Sequence, residues 1–108
     1  MATDSAVPVT AENFHKLPRS AQLLIAYALF NDLWEIQLLR TDRDFLALVN
    51  SGWLIAKPCG AHGFVNGVFE DSTWAAFETI ENKIFDGVTN NEMERFVARK
   101  GGEYPWLW

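Results

Sequence analysis

The segment "AQLLIAYALF", Ala21–Phe30, constrains this chain more than any other, because its apolar run is broken only by Gln22. It is far shorter than the about 20 residues needed to cross a bilayer, so the rest of the chain has to bury it. Pro18 is tolerated in a first helical turn, so "LPRSAQLLIAYALFN" reads as a helix with Leu23, Ala26, Tyr27 and Phe30 as its buried stripe. Leu24 and Ile25 widen that stripe, and neighbours are expected on most sides of the helix. With 108 residues and 49% hydrophobic content, the chain can supply one such core. A single domain over residues 1–108 is expected.

Other elements follow from period and capping signals. Residues 1–9 read as a loosely ordered lead-in. Thr10 is an N-cap for a short helix ending at Leu17, with Phe14 and Leu17 on one face. "LWEIQLL" alternates Trp34, Ile36 and Leu38 against Glu35 and Gln37, the mark of a half-buried strand. Thr41 and Asp44 have the spacing that caps a helix, whose apolar face is Phe45, Leu48 and Val49 and whose end is Gly52. "WLIAKP" and "GFVNGVFE" read as two strands, joined by "CGAHG", whose glycines permit the positive φ of a tight tip. Asp71 and Ser72 cap a fourth helix with Trp74, Phe77, Ile80, Ile84 and Phe85 inward. Thr89 and Glu92 form a capping box for a last helix, with Met93, Phe96 and Val97 as its stripe and Gly101 as its stop. Trp34, Trp53 and Trp74 all fall in core phase.

From Ser20 to Phe85, the order helix, strand, capped helix and glycine-tipped hairpin resembles a winged helix-turn-helix domain. "LVNSGWLIAKP" followed by "VNGVF" is similar to the recognition-helix ending and wing strands of that superfamily. The same stretch is similar to small phage and prophage accessory domains of the superinfection-exclusion or anti-defence kind. The implied fold is α+β and mainly α: a winged-helix-like core over residues 20–85 with a two- to three-stranded sheet, then a C-terminal helix and aromatic tail over residues 88–108. The resemblance implies DNA binding through Arg40, Arg43, Asn50 and Lys57. Asp42 and Asp44 flank Arg43 on that helix, and the chain carries a net charge of -5, so direct DNA binding is not expected of one copy. A dimeric transcriptional regulator would compensate with two sets of cations.

Chemistry-bearing residues are sparse. Cys59 and His62 stand three apart at the hairpin tip, the beginning of a nucleophilic pair, yet no orienting acid or amide accompanies them. Two such side chains fall short of a zinc site, which takes about four ligands. His15 has no sequence partner. No glycine-rich phosphate loop, zinc-protease or hydrolase motif occurs, and no catalytic residue, cofactor or metal is expected. A lone cysteine, no secretory signal in "MATDSAVPVT" and no membrane span make a cytoplasmic protein the expectation.

Two surface features point elsewhere. From Asp71 onward, seven acids face Lys83, Arg95, Arg99 and Lys100, an acidic end that attracts a basic partner or imitates nucleic-acid charge. Tyr104, Trp106 and Trp108 crowd the last residues, where Pro105 stiffens the chain; they either close the core or anchor a partner or a second copy. The resulting expectation is a non-enzymatic protein-binding module, most concretely a phage or mobile-element inhibitor such as an anti-CRISPR factor. It would act on a nucleic-acid-handling complex through Glu78, Glu81, Glu92, Glu94, Tyr104, Trp106 and Trp108. The alternatives are the dimeric DNA-binding regulator and a small cysteine-dependent enzyme.

Overall fold

A computed structural model describes residues 7–103. Helices α1 (Ala11–His15) and α2 (Arg19–Asn31) lead to strand β1 (Glu35–Leu39) and helix α3 (Arg43–Asn50). Strands β2 (Ile55–Lys57) and β3 (Phe64–Val68) follow, then α4 (Asp71–Thr79), α5 (Glu81–Phe85) and α6 (Asn90–Glu103). The fold is α+β and mainly helical, with one antiparallel sheet in the order β1-β3-β2. One helix, α3, stands between β1 and β2. No helix among the described residues is long and apolar enough to cross a membrane.

Helix α2 is the spine of the core. Every residue from Ala21 to Ala28 is buried except Tyr27, which is half-buried. The sheet lays Ile36 and Leu38 of β1 beside Gly67 and Val65 of β3, so the inward residues of the two strands are in register. Gly67 is favoured by packing: a Cβ there would stand 2.7 Å from Leu54 Cδ2, so the buried Leu54 side chain would have to shift. Beyond the sheet, Phe77 meets the rings of Trp53 and Phe69 edge-on, each at 5.5 Å, the arrangement aromatic quadrupoles favour.

Several local expectations hold. Thr10 and Thr89 cap their helices through Asn13 N–H at 3.1 Å and Glu92 N–H at 3.0 Å, though of the expected capping box only this half is seen, both Glu92 carboxylate oxygens accepting from Arg19. Gly60 and Gly63 adopt φ of +83° and +81° at the hairpin tip. Others are corrected. The α3 N-cap is Asp42 rather than Thr41, its Oδ1 accepting from Asp44 N–H and Phe45 N–H at 2.9 and 3.0 Å. Asp71 and Ser72 lie inside α4, whose N-cap Glu70 makes no side-chain cap. The single fourth helix is broken at Ile80, where φ is −110°. Gly101 does not stop α6, which runs to Glu103; the preceding Lys100 is anchored in the protein and offsets the about 1 kcal/mol that a helical glycine costs. Within the lead-in, Val7 is tied down, its carbonyl accepting from Trp53 Nε1 at 2.6 Å and its N–H reaching Ser51 O at 2.9 Å.

The core outruns its cover at one end, and this is the main departure from the periodic reading. Phe30 is in phase with Leu23 and Ala26, yet it is 81% exposed. Trp34 is in phase with Ile36 and Leu38, yet it is 54% exposed. Both flank the turn where α2 ends, closed by Asp32 in the left-handed region (φ 58°) and by Leu33 N–H donating to Ala28 O at 2.8 Å, a Schellman-type closure. Period sets which way a side chain points and says nothing of how far the opposing layer extends. A Gly67→Val variant is expected to unfold about 1–3 kcal/mol more easily through overpacking against Leu54, which denaturant titration measures.

Candidate functional site

Three helix ends converge on a buried group of charges. Lys100, in the last turns of α6, donates to Asp42 Oδ2 at 2.6 Å and to Asp44 Oδ2 at 2.9 Å, all three side chains being at most 7% exposed. Ser20, in the first turn of α2, donates to Asp44 Oδ1. Asp42 Oδ1 is taken by the two capping amides of α3. Every carboxylate oxygen therefore has a donor, the condition under which charges are tolerated in an interior. Burial alone would push the Lys100 ammonium down, but its hydrogen bonds and attraction to Asp42 and Asp44 outweigh this and hold it above its ordinary value. The group acts as a clamp among α2, α3 and α6. Asp42 and Asp44, expected on an outer face beside Arg43, are thus buried and serve the fold.

A second tie joins the same helices at the surface. Arg19 grips Glu92 with Nε to Oε2 at 2.7 Å and Nη2 to Oε1 at 2.6 Å, and also reaches Gly87 O at 3.1 Å. This fork holds the Glu92 carboxyl below its usual range. Glu92 is accordingly committed to Arg19 and is not a free member of an acidic surface.

Beside Phe30 lies an open groove of about 370 Å³ lined chiefly by Tyr27, Phe30, Phe85, Val88 and Met93. It passes into a shallower hollow where Met93 and Val97 of α6 stand next to Glu94. Glu94 lines that hollow, and exposed acids adjoin the apolar groups along the chain: Asp32 and Glu35 in and after the turn that follows Phe30, and Asp86 directly after Phe85. Single exposed apolar side chains are ordinary, whereas a contiguous aromatic face with a polar rim is the composition of a contact surface.

The residues singled out from the sequence are dispersed. Glu78 is on α4, Glu81 on α5 and Glu94 on α6, all exposed. Tyr104, Trp106 and Trp108 lie outside the described residues. Arg43 and Asn50 share the outer face of α3 with exposed Leu46, while Arg40 and Lys57 flank a hollow floored by Phe45 and Val65. Cys59 is half-buried and accepts from Gln37 Nε2 at 3.4 Å; among the described residues no hydrogen bond joins it to exposed His62. No group of three or more His, Cys, Asp or Glu side chains among the described residues could hold a metal ion.

Comparison with family models, with curated proteins and with solved structures found no match. The function has to be read from the surface of this chain. Its most informative residues, Phe30 and Trp34, carry one sequence signal: each sits where an apolar pattern runs into a chain reversal.

Replacing Lys100 with Met strands two buried carboxylates and is expected to cost about 3–5 kcal/mol at neutral pH, measured by denaturant unfolding. The folded state holds the Lys100 proton more tightly than the unfolded chain does. Its contribution is therefore complete below the ordinary value of 10.5 and is lost as pH rises through the higher folded value. Wild type should weaken in that alkaline range relative to neutral pH, and the difference between wild type and Lys100→Met should shrink there.

Proposed function

We propose that this chain is a non-enzymatic protein-binding module whose contact surface is the aromatic face around Phe30 and Trp34. The observation that carries the reading is Phe30, 81% exposed at the lip of an apolar groove. Large aromatics supply most of the energy at protein interfaces when a partner removes them from water, and fully burying one apolar side chain contributes about 1.5–3 kcal/mol. The exposed acids next to these residues along the chain, Asp32, Glu35, Asp86 and Glu94, point to the partner's chemistry: an amphipathic segment with apolar anchors for the groove and basic residues at its margins. This keeps the acidic and aromatic character expected from the sequence but moves its centre away from Trp106 and Trp108. An inhibitor of a nucleic-acid-handling complex is the narrower version, since proteins that grip nucleic acid present basic surfaces to an acidic ligand.

The test is paired. Phe30→Ala with Trp34→Ala removes mostly exposed atoms, Trp34 being the more covered of the two, so the unfolding free energy should change by no more than about 1 kcal/mol. The same double variant should lose any partner retained by the wild type in quantitative pull-downs, and that retention should weaken with salt. A partner held equally by both forms places the contact elsewhere. Salt-insensitive retention rejects the basic-margined partner. Sedimentation equilibrium distinguishes a second copy: self-association abolished by the double variant assigns the groove to a homodimer instead.

A further inference from the structure

The positive charges of this acidic chain are gathered along one course. Three hollows follow one another: about 390 Å³ between Arg40 and Lys57, about 410 Å³ between Arg43 and Arg99, and about 430 Å³ beside Arg95 and Arg99. The second and third share Ser20 and Arg99, and the first joins the second through consecutive residues Leu39, Arg40 and Thr41. Seven of the nine Lys and Arg residues line these hollows, with three of the fourteen acids, so the course carries four net positive charges and the rest of the chain nine net negative.

The three acids are all engaged: Asp42 and Asp44 by Lys100, and Glu92 by Arg19. Arg40, Arg43, Lys57, Arg95 and Arg99 are exposed and make no ion pair among the described residues. At 100° per residue around α6, Arg95 and Arg99 fall on the flank opposite Met93 and Val97, while Phe96 and Lys100 point inward between them, as their burial shows.

We propose that this belt binds the phosphate backbone of a nucleic acid strand. Four of its five cations outside ion pairs are arginines, Arg99 resting over the Phe96 ring at 5.6 Å, and their planar fork matches phosphate oxygens. The cations recur along the whole course, which suits a ligand bearing a charge at every repeat; an acidic polypeptide concentrates charge at fewer positions. Base reading is not part of this site, because the outer face of α3 offers only Arg43 and Asn50 beside apolar Leu46. Binding is therefore sequence-independent and strongly salt-dependent. Burial of Asp42 and Asp44 removes the local repulsion that their sequence position implies.

The experiment is fluorescence anisotropy of the full chain with a short labelled single strand and with its duplex, between about 50 and 200 mM salt. Binding should weaken with a log–log slope of about −0.7 per phosphate engaged on a single strand and −0.9 on duplex, reaching about −4 to −5 on duplex when all five cations take part. Arg95→Ala with Arg99→Ala should make the slope shallower by about 2 and weaken binding at least about tenfold at the low-salt end. Arg40→Ala with Lys57→Ala, at the other end of the belt, should do the same, with unfolding temperatures confirming that both variants are folded. Absence of binding at low salt, or unchanged affinity in both variants, overturns the proposal. So does polyglutamate binding tightly while neither nucleic acid does, which would assign the belt to an acidic protein. Phe30→Ala with Trp34→Ala should leave the anisotropy titration unchanged, so this inference and the aromatic contact surface fail separately.

Discussion

The buried meeting of Lys100 with Asp42 and Asp44 is the constraint on which the rest of the structure depends. Helix α6 is polar for most of its length; among its described residues Phe96 is the one apolar side chain fully in the core, with Met93 and Val97 half-buried against it. So few apolar anchors leave the rotation of a helix weakly determined. Lys100, one turn further along and on the same inward flank, removes that freedom by committing its ammonium to two carboxylates that also start α3. Well-packed hydrophobic replacements for such groups are often as stable, so the consequence of the clamp is orientation more than net stability. With α6 turned this way, Met93 and Val97 complete the aromatic groove on one flank, and Arg95 and Arg99 reach the belt on the other.

Much of the fold is legible in the sequence because it is local. Thr10, Thr89, Gly60 and Gly63 act within four residues of themselves, and alternation in "LWEIQLL" reports a strand wherever its neighbours lie. The failures share a different cause. Asp42 and Thr41 are both able to cap α3, and the tie that favours Asp42 comes from Lys100, 58 residues away in sequence. The break at Ile80 has neither Gly nor Pro to announce it. Gly101 looks like a stop until the anchoring of Lys100 is known.

The surface was less legible than the core for the same reason. Glu78, Glu81 and Glu94, expected at an acidic surface, are exposed, but nothing in the sequence joins Glu92 to Arg19, and the fork between them withdraws one acid from the expected patch. Arg40 and Lys57 are 17 positions apart and meet across the first hollow only because β1 and β2 both flank β3. Arg95 and Arg99 belong to the far end of the chain and join Arg43 through tertiary packing. Phe30 and Trp34 were visible as large aromatics in phase with a core, and their exposure depends on where the covering layer ends, a quantity that periodicity does not contain.

Segregation of charge would give the two proposed surfaces different selectivities. A chain with evenly mixed charge and a net of -5 would repel phosphate everywhere. Here the repulsion is confined to the regions outside the belt, including the acids next to Phe30 and Trp34 along the chain. The field of the molecule would steer a nucleic acid strand away from the aromatic groove and toward Arg43, Arg95 and Arg99, and a basic amphipathic segment in the opposite sense. Because the two proposed sites lie on opposite flanks of α6, occupancy of one would leave the side chains of the other in place. The two would therefore bind together instead of competing, and the helix that separates them is the one that Lys100 holds in orientation.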